Sequence, residues 1–204
     1  MDELKEIKLK NYQYLNEVAI KGETLFTGSS LMELFPICEI ARSRGVDDII
    51  YNRGISSLNT DEFLQHIHPL LLDLQPSKVF INIGTNDMNP ADYRKEELMA
   101  RYEKMVQEIL ARLPGVQLTL LAYYPVNHDA APDDSWFFYR TNERIHEANE
   151  AVEALAEKYH LGFLDLNAPL TDENGNLKAE FTIDGVHMYP NGYWEVWKQL
   201  VKIP

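Results

Sequence analysis

Apolar residues along the chain follow two alternating rhythms. Short runs bounded by polar or turn-forming residues occur at Thr24 to Gly28, Asp48 to Asn52, Lys78 to Ile83, Gln117 to Ala122 and Gly162 to Leu166. Their length and their content of β-branched and aromatic residues predict strands. Between them the apolar positions recur at three and four. Phe63, Ile67, Leu70 and Leu74 predict a helix from Thr60, its N-cap, to Gln75, where Pro76 ends it. Leu98, Tyr102, Met105, Ile109 and Leu113 predict one over 92–113, stopped by Pro114-Gly115. Phe138, Thr141, Ile145, Ala148, Val152, Leu155 and Tyr159 trace another, and a last helix is expected from about Pro190 to Val201. Leu31, Leu34, Phe35 and Cys38 mark a helix-like segment after the first strand. Near the start, Leu4, Ile7, Tyr14 and Val18 share one helical face, interrupted by Asn11.

Strands that alternate with helices of ten or more residues imply βαβ units and a parallel sheet covered on both faces, so the expected class is α/β. The pattern does not fix strand order. A chain of 204 residues without a composition shift suits a single domain over 1–204. The first residues, Met1-Asp2-Glu3-Leu4-Lys5-Glu6, lack a basic n-region and an apolar h-region, and no apolar run reaches membrane-spanning length. A soluble, cytoplasmic protein is expected. The formal net charge of -13 repels nucleic acid and anionic membrane surfaces, so neither is expected as a partner. The lone Cys38 has no internal disulfide partner, and its place on an apolar face predicts a small core residue.

Four short segments then stand out at element ends: Gly28-Ser29-Ser30-Leu31, Asn52-Arg53-Gly54-Ile55-Ser56, Gly84-Thr85-Asn86-Asp87 and Asp184-Gly185-Val186-His187. The first three each follow a strand, so in a parallel sheet all three emerge at one edge, where open α/β sheets bind ligands. Ser29 and Ser30 lead into a helix and are candidate nucleophiles, although a Ser before a helix is also what an N-cap looks like. Asp184 and His187 lie three apart, close enough for a tight turn to set the carboxylate on Nδ1–H and leave Nε2 free for a serine proton. Gly54 either permits a turn or lets a backbone N–H approach a ligand. Asn86 either forms an Asx turn or aims its amide at an oxyanion. Together the segments hold every group type that ester hydrolysis requires.

The four segments resemble the motif blocks of the SGNH hydrolases, also called the GDSL lipase/esterase family, in order and spacing from residue 26 to 187. The resemblance implies Ser30 as nucleophile, since it stands directly before Leu31 as in the Gly-Asp-Ser-Leu block. It implies His187 as general base and Asp184 as its orienting acid. The implied oxyanion donors are the Ser30 and Gly54 N–H groups and the Asn86 side chain. The implied fold is a flavodoxin-like three-layer α/β/α sandwich around a five-stranded parallel sheet. Ser29 departs from the block's Asp and offers weaker acceptor bonds to the turn. The implied activity is a cofactor-free, two-step hydrolysis of small acyl or acetyl esters, with the leaving group open.

Other residues carry less. His66 and His68 do not share a helical face, His146 lies off the apolar stripe and His160 ends a helix, so no metal-ligand cluster is expected. The stretch Tyr123 to Tyr139 leaves the fourth strand at the same edge and divides its aromatics, His128, Trp136, Phe137 and Phe138 among them, between core and pocket in a way the sequence does not resolve. Asp129, Asp133 and Asp134 suggest a solvated loop tip there. Two further readings stand: the hydroxyl-rich Thr27-Gly28-Ser29-Ser30 turn as a cradle for FMN phosphate in an electron carrier, or a hydrolase-like binding module without turnover.

Overall fold

The protein is described by a computed structural model covering residues 2–132 and 136–201. Asp133 and Asp134 of the expected loop tip lie outside the described residues. The chain runs α1 (Glu3–Val18), β1 (Thr24–Gly28), α2 (Ser30–Glu33), α3 (Ile37–Ser43), β2 (Ile50–Gly54), α4 (Thr60–Gln65), α5 (Ile67–Leu70) and β3 (Lys78–Asn82). It continues through α6 (Lys95–Arg112), β4 (Gln117–Leu121), α7 (Asn142–Tyr159), β5 (Gly162–Leu164) and α8 (Pro190–Leu200). The five strands form one parallel sheet in the order β2-β1-β3-β4-β5.

The two-residue period of the strands divides the interior into two cores. Leu25, Val79, Ile81, Leu118 and Leu120 face one side with Phe63, Tyr102, Met105, Ile109, Ala148 and Val152. Phe26 and Leu121 face the other with Leu31, Phe35, Tyr193 and Val196. The expected α/β three-layer sandwich is therefore the observed fold. No helix among the described residues is long and apolar enough to cross a membrane.

Three local expectations change. α1 turns the other way: Leu4, Ile7, Tyr14 and Val18 face solvent, Val18 at 81% exposure, and the buried residues are Lys5, Leu9 and Asn16. This helix docks through polar tips, with Lys5 Nζ on Glu62 at 2.8 Å, Asn16 Nδ2 donating to Pro69 O at 2.9 Å and Tyr12 OH donating to Gly54 O at 2.7 Å. The helix expected over 60–75 is broken into α4, α5 and a 3-10 turn at Leu72–Leu74. Pro69 has no N–H for the Gln65 carbonyl, and its ring would strike that carbonyl in a continuous helix. Asn59, not Thr60, is its N-cap, in a capping box with Glu62. Cys38 is exposed instead of buried, because Pro36 separates α2 from α3 and re-aims the second helix.

Gly28 closes β1 at φ 149°, and a Cβ there would lie 1.9 Å from the Asn82 carbonyl oxygen of the neighbouring strand. Gly28→Ala is expected to lower unfolding free energy by on the order of 3 kcal/mol, from backbone overlap and positive φ together. A denaturant midpoint equal to the parent's would show that the strand ends separate freely.

Candidate active site

Three adjacent strands, β2, β1 and β3, end side by side, with Gly28 in register with both Gly54 and Asn82. Ser29, Gly54 and Asn86 thus emerge from one edge of the sheet. The Ser29 N–H donates to Asn82 O at 3.2 Å, which fixes the turn into α2. Ser29 occupies the N-cap position, yet its hydroxyl makes no capping bond and is buried without a partner. The capping reading fails at this residue. Ser30 is the first residue of α2, so its N–H has no intrahelical acceptor, and its side chain meets the distant segment 182–188.

That segment is a closed turn. Ile183 N–H donates to His187 O at 2.7 Å and Gly185 N–H to Thr182 Oγ1 at 2.7 Å. Asp184 Oδ1 accepts the N–H groups of Val186 at 3.0 Å and His187 at 2.8 Å. Its Oδ2 lies 2.6 Å from His187 Nδ1, and His187 Nε2 lies 2.9 Å from Ser30 Oγ. Burial works against the Asp184 carboxylate, but the bonds from His187 and Val186 outweigh it and hold the carboxyl below its ordinary value. An imidazole with Nδ1–H on this carboxylate presents a bare Nε2 to the serine hydroxyl. The Trp136 ring rests against the imidazole at 5.7 Å between centroids.

The Gly54 N–H donates to Asn52 Oδ1 at 2.9 Å, so it is engaged in the free protein. Asn52 in turn donates to Met32 O and Phe35 O, which ties the end of β2 to α2. A Cβ on Gly54 would lie 2.2 Å from Glu33 N, so the close approach of these two segments requires glycine. Asn86 lies in the 3-10 turn Thr85–Met88 after β3. Its Nδ2 donates to Leu58 O at 2.8 Å, and its Oδ1 accepts from Arg140 Nη2 at 2.9 Å.

Arg140 is 1% exposed and stands one residue beyond the aromatic stretch Tyr123 to Tyr139. A cation among Trp136, Phe137, Phe138 and Tyr139 was the available signal. Burial pushes its guanidinium down to about 9, against the fields of Asp184 and Asp87, and leaves it charged at neutral pH. The aromatics divide cleanly: Tyr123, Tyr124 and Phe137 are core, whereas Trp136, Phe138 and Tyr139 are exposed. Among the described residues no three His, Cys, Asp or Glu side chains stand together as metal ligands.

The sequence profile of the GDSL-like Lipase/Acylhydrolase family matches residues 39–195, a span that holds Gly54, Asn86, Asp184 and His187 and begins after Ser30. The chain is 27% identical over 191 residues to N-acylneuraminate cytidylyltransferase of Escherichia coli, covering 92% of this chain and 42% of that protein. It therefore spans less than half the length of that relative. It is 26% identical over 179 residues to platelet-activating factor acetylhydrolase IB subunit alpha1 of Bos taurus, covering 87% of this chain and 73% of that one. A solved structure from Streptococcus pneumonia, named for platelet activating factor, superposes with a TM-score of 0.86 at 31% identity, covering 97% of this chain and 91% of that chain.

Proposed function

The chain belongs to the GDSL-like lipase/acylhydrolase family, and on that premise we propose that it is a serine esterase acting on small acyl or acetyl esters through an acyl-enzyme on Ser30. The observation that carries this reading is the imidazole of His187 suspended between Asp184 Oδ2 at 2.6 Å and Ser30 Oγ at 2.9 Å. Similarity to a protein named as an acetylhydrolase supports a short acyl group in this reading.

In the proposed reaction Ser30 Oγ attacks the ester carbonyl carbon as its proton passes to His187 Nε2. Asp184 stabilises the resulting imidazolium and holds its ring. The carbonyl oxygen becomes an oxyanion, which the Ser30 N–H and the second Asn86 N–H stabilise. Gly54 can contribute only by sharing or releasing its bond to Asn52 Oδ1. The tetrahedral intermediate expels the alcohol, which leaves with the proton from His187. A water that gives its proton to His187 then attacks the acyl-enzyme, and collapse frees the carboxylic acid and returns the proton to Ser30.

Reaction with a fluorophosphonate followed by mass spectrometry of the labelled peptide tests the reading. One adduct on Ser30, with hydrolysis of p-nitrophenyl acetate, is the expected result. Absence of both would leave a binding module on a hydrolase fold. For the oxyanion, Asn86→Ala is expected to lower kcat by roughly 10²–10³-fold with little change in KM, because the bond strengthens mainly in the transition state. A variant that loses thermal stability at unchanged kcat would return Asn86 to a turn-forming role.

A further inference from the structure

A buried arginine is costly, since desolvating a guanidinium is unfavourable unless its donors and charge are well used. Arg140 directs its donors at two neutral amides: Nε at Asn89 Oδ1, 3.0 Å away, and Nη2 at Asn86 Oδ1, 2.9 Å away. Both acceptors belong to the turn that follows β3, Asn86 within it and Asn89 as its C-cap. The same guanidinium lies over the Trp136 ring, 5.1 Å from its centroid, and that ring rests on His187. Arg140 is thereby joined to both halves of the site.

The consequence for Asn86 follows from the chemistry of an amide. A side-chain amide offers one acceptor and one NH₂ group, and rotation by half a turn exchanges them. Arginine only donates, so its partner on Asn86 must be the oxygen. The Leu58 carbonyl only accepts, so its partner must be the NH₂. A flipped amide would set N–H against N–H on one side and oxygen against oxygen on the other. One orientation survives, and in it a single N–H of Asn86 remains for a ligand.

We propose that Arg140 is a positioning residue for the oxyanion donor: its fork to Asn86 and Asn89 holds the Asn86 amide in the orientation that presents N–H, not oxygen, to the reacting carbonyl. The inference rests on the ester hydrolase reading above. It explains why a rigid two-point donor is buried where no substrate atom need touch it.

The test is a double-mutant cycle on p-nitrophenyl acetate hydrolysis. Arg140→Met is expected to lower kcat by about 10²-fold with KM within about twofold, the signature of a lost transition-state donor. In the Asn86→Ala background the same change is expected to cost less than about twofold more, because the group it positions is gone. Arg140→Lys keeps the charge and a single donor nitrogen, so it should recover to within about tenfold of the parent, and its deficit should also vanish in the Asn86→Ala background. If Arg140→Met does not fold, the lysine variant carries the cycle alone. Losses that multiply in both backgrounds, or an unchanged kcat, overturn the positioning role while leaving the hydrolase intact. A parent protein that neither hydrolyses esters nor labels at Ser30 overturns both.

Discussion

Ser30→Ala is expected to lower hydrolysis of p-nitrophenyl acetate by on the order of 10³-fold or more, with the thermal midpoint close to the parent's. The size follows from the way a nucleophile and its base act as one unit: without the hydroxyl, the proposed base, Nε2 of His187 at 2.9 Å, has nothing to activate. The midpoint is preserved because Ser30 sits at the first turn of a short helix, and alanine suits that position. Ser29→Ala provides the contrast. Its hydroxyl is buried without a partner, so removal forfeits no hydrogen bond and should leave both kcat and stability near the parent's. Equal losses from the two substitutions, or a fluorophosphonate adduct on Ser29, would show that the nucleophile had been misassigned.

That contrast also shows what was legible in the sequence. Strands announce themselves by short apolar runs, and their two-residue period places Leu25 and Phe26 in different cores, so the sandwich could be read before its strand order. Order depends on which edges meet in three dimensions, and no local pattern carries it. The motif segments were visible because glycine and hydroxyl residues interrupt the apolar rhythm at strand ends. What those side chains bond to was not visible: Ser29 looked like a cap and caps nothing, and the Gly54 N–H is taken by Asn52 two residues before it.

Periodicity misled where polar groups decide packing. The face of α1 richest in large apolar residues is the exposed one, because Lys5 and Asn16 find specific partners at Glu62, Pro69 and Arg53. A helical wheel weighs hydrophobicity and cannot see such partners. For Arg140 the local sequence offers only a cation at the end of an aromatic run. Its partners Asn86 and Asn89 lie more than fifty residues away in sequence, so its burial beside the site is not legible there.

Asp184→Asn is expected to cost about 10²–10⁴-fold in kcat/KM while the turn 182–188 survives. The turn persists because an amide oxygen can still accept the N–H groups of Val186 and His187 that Asp184 Oδ1 now receives. What changes lies at the 2.6 Å contact with His187 Nδ1. An NH₂ group there favours the imidazole tautomer whose proton is on Nε2, and that nitrogen cannot then accept the Ser30 proton. The pH dependence separates the two acids of the site. Asp184 is held below its ordinary value in the folded protein, so its contribution to stability is complete above the unfolded value of about 3.9 and is lost only as pH falls through the lower folded value. Loss of kcat/KM at milder acidity, while Asp184 is still ionised, therefore reports protonation of the proposed base and not of the carboxylate. The expected profile of the parent is a single acid limb with the protein still folded by circular dichroism. A profile with no acid limb while the protein remains folded, or an Asp184→Asn variant with full activity, would falsify the triad and leave Ser30 in need of another base.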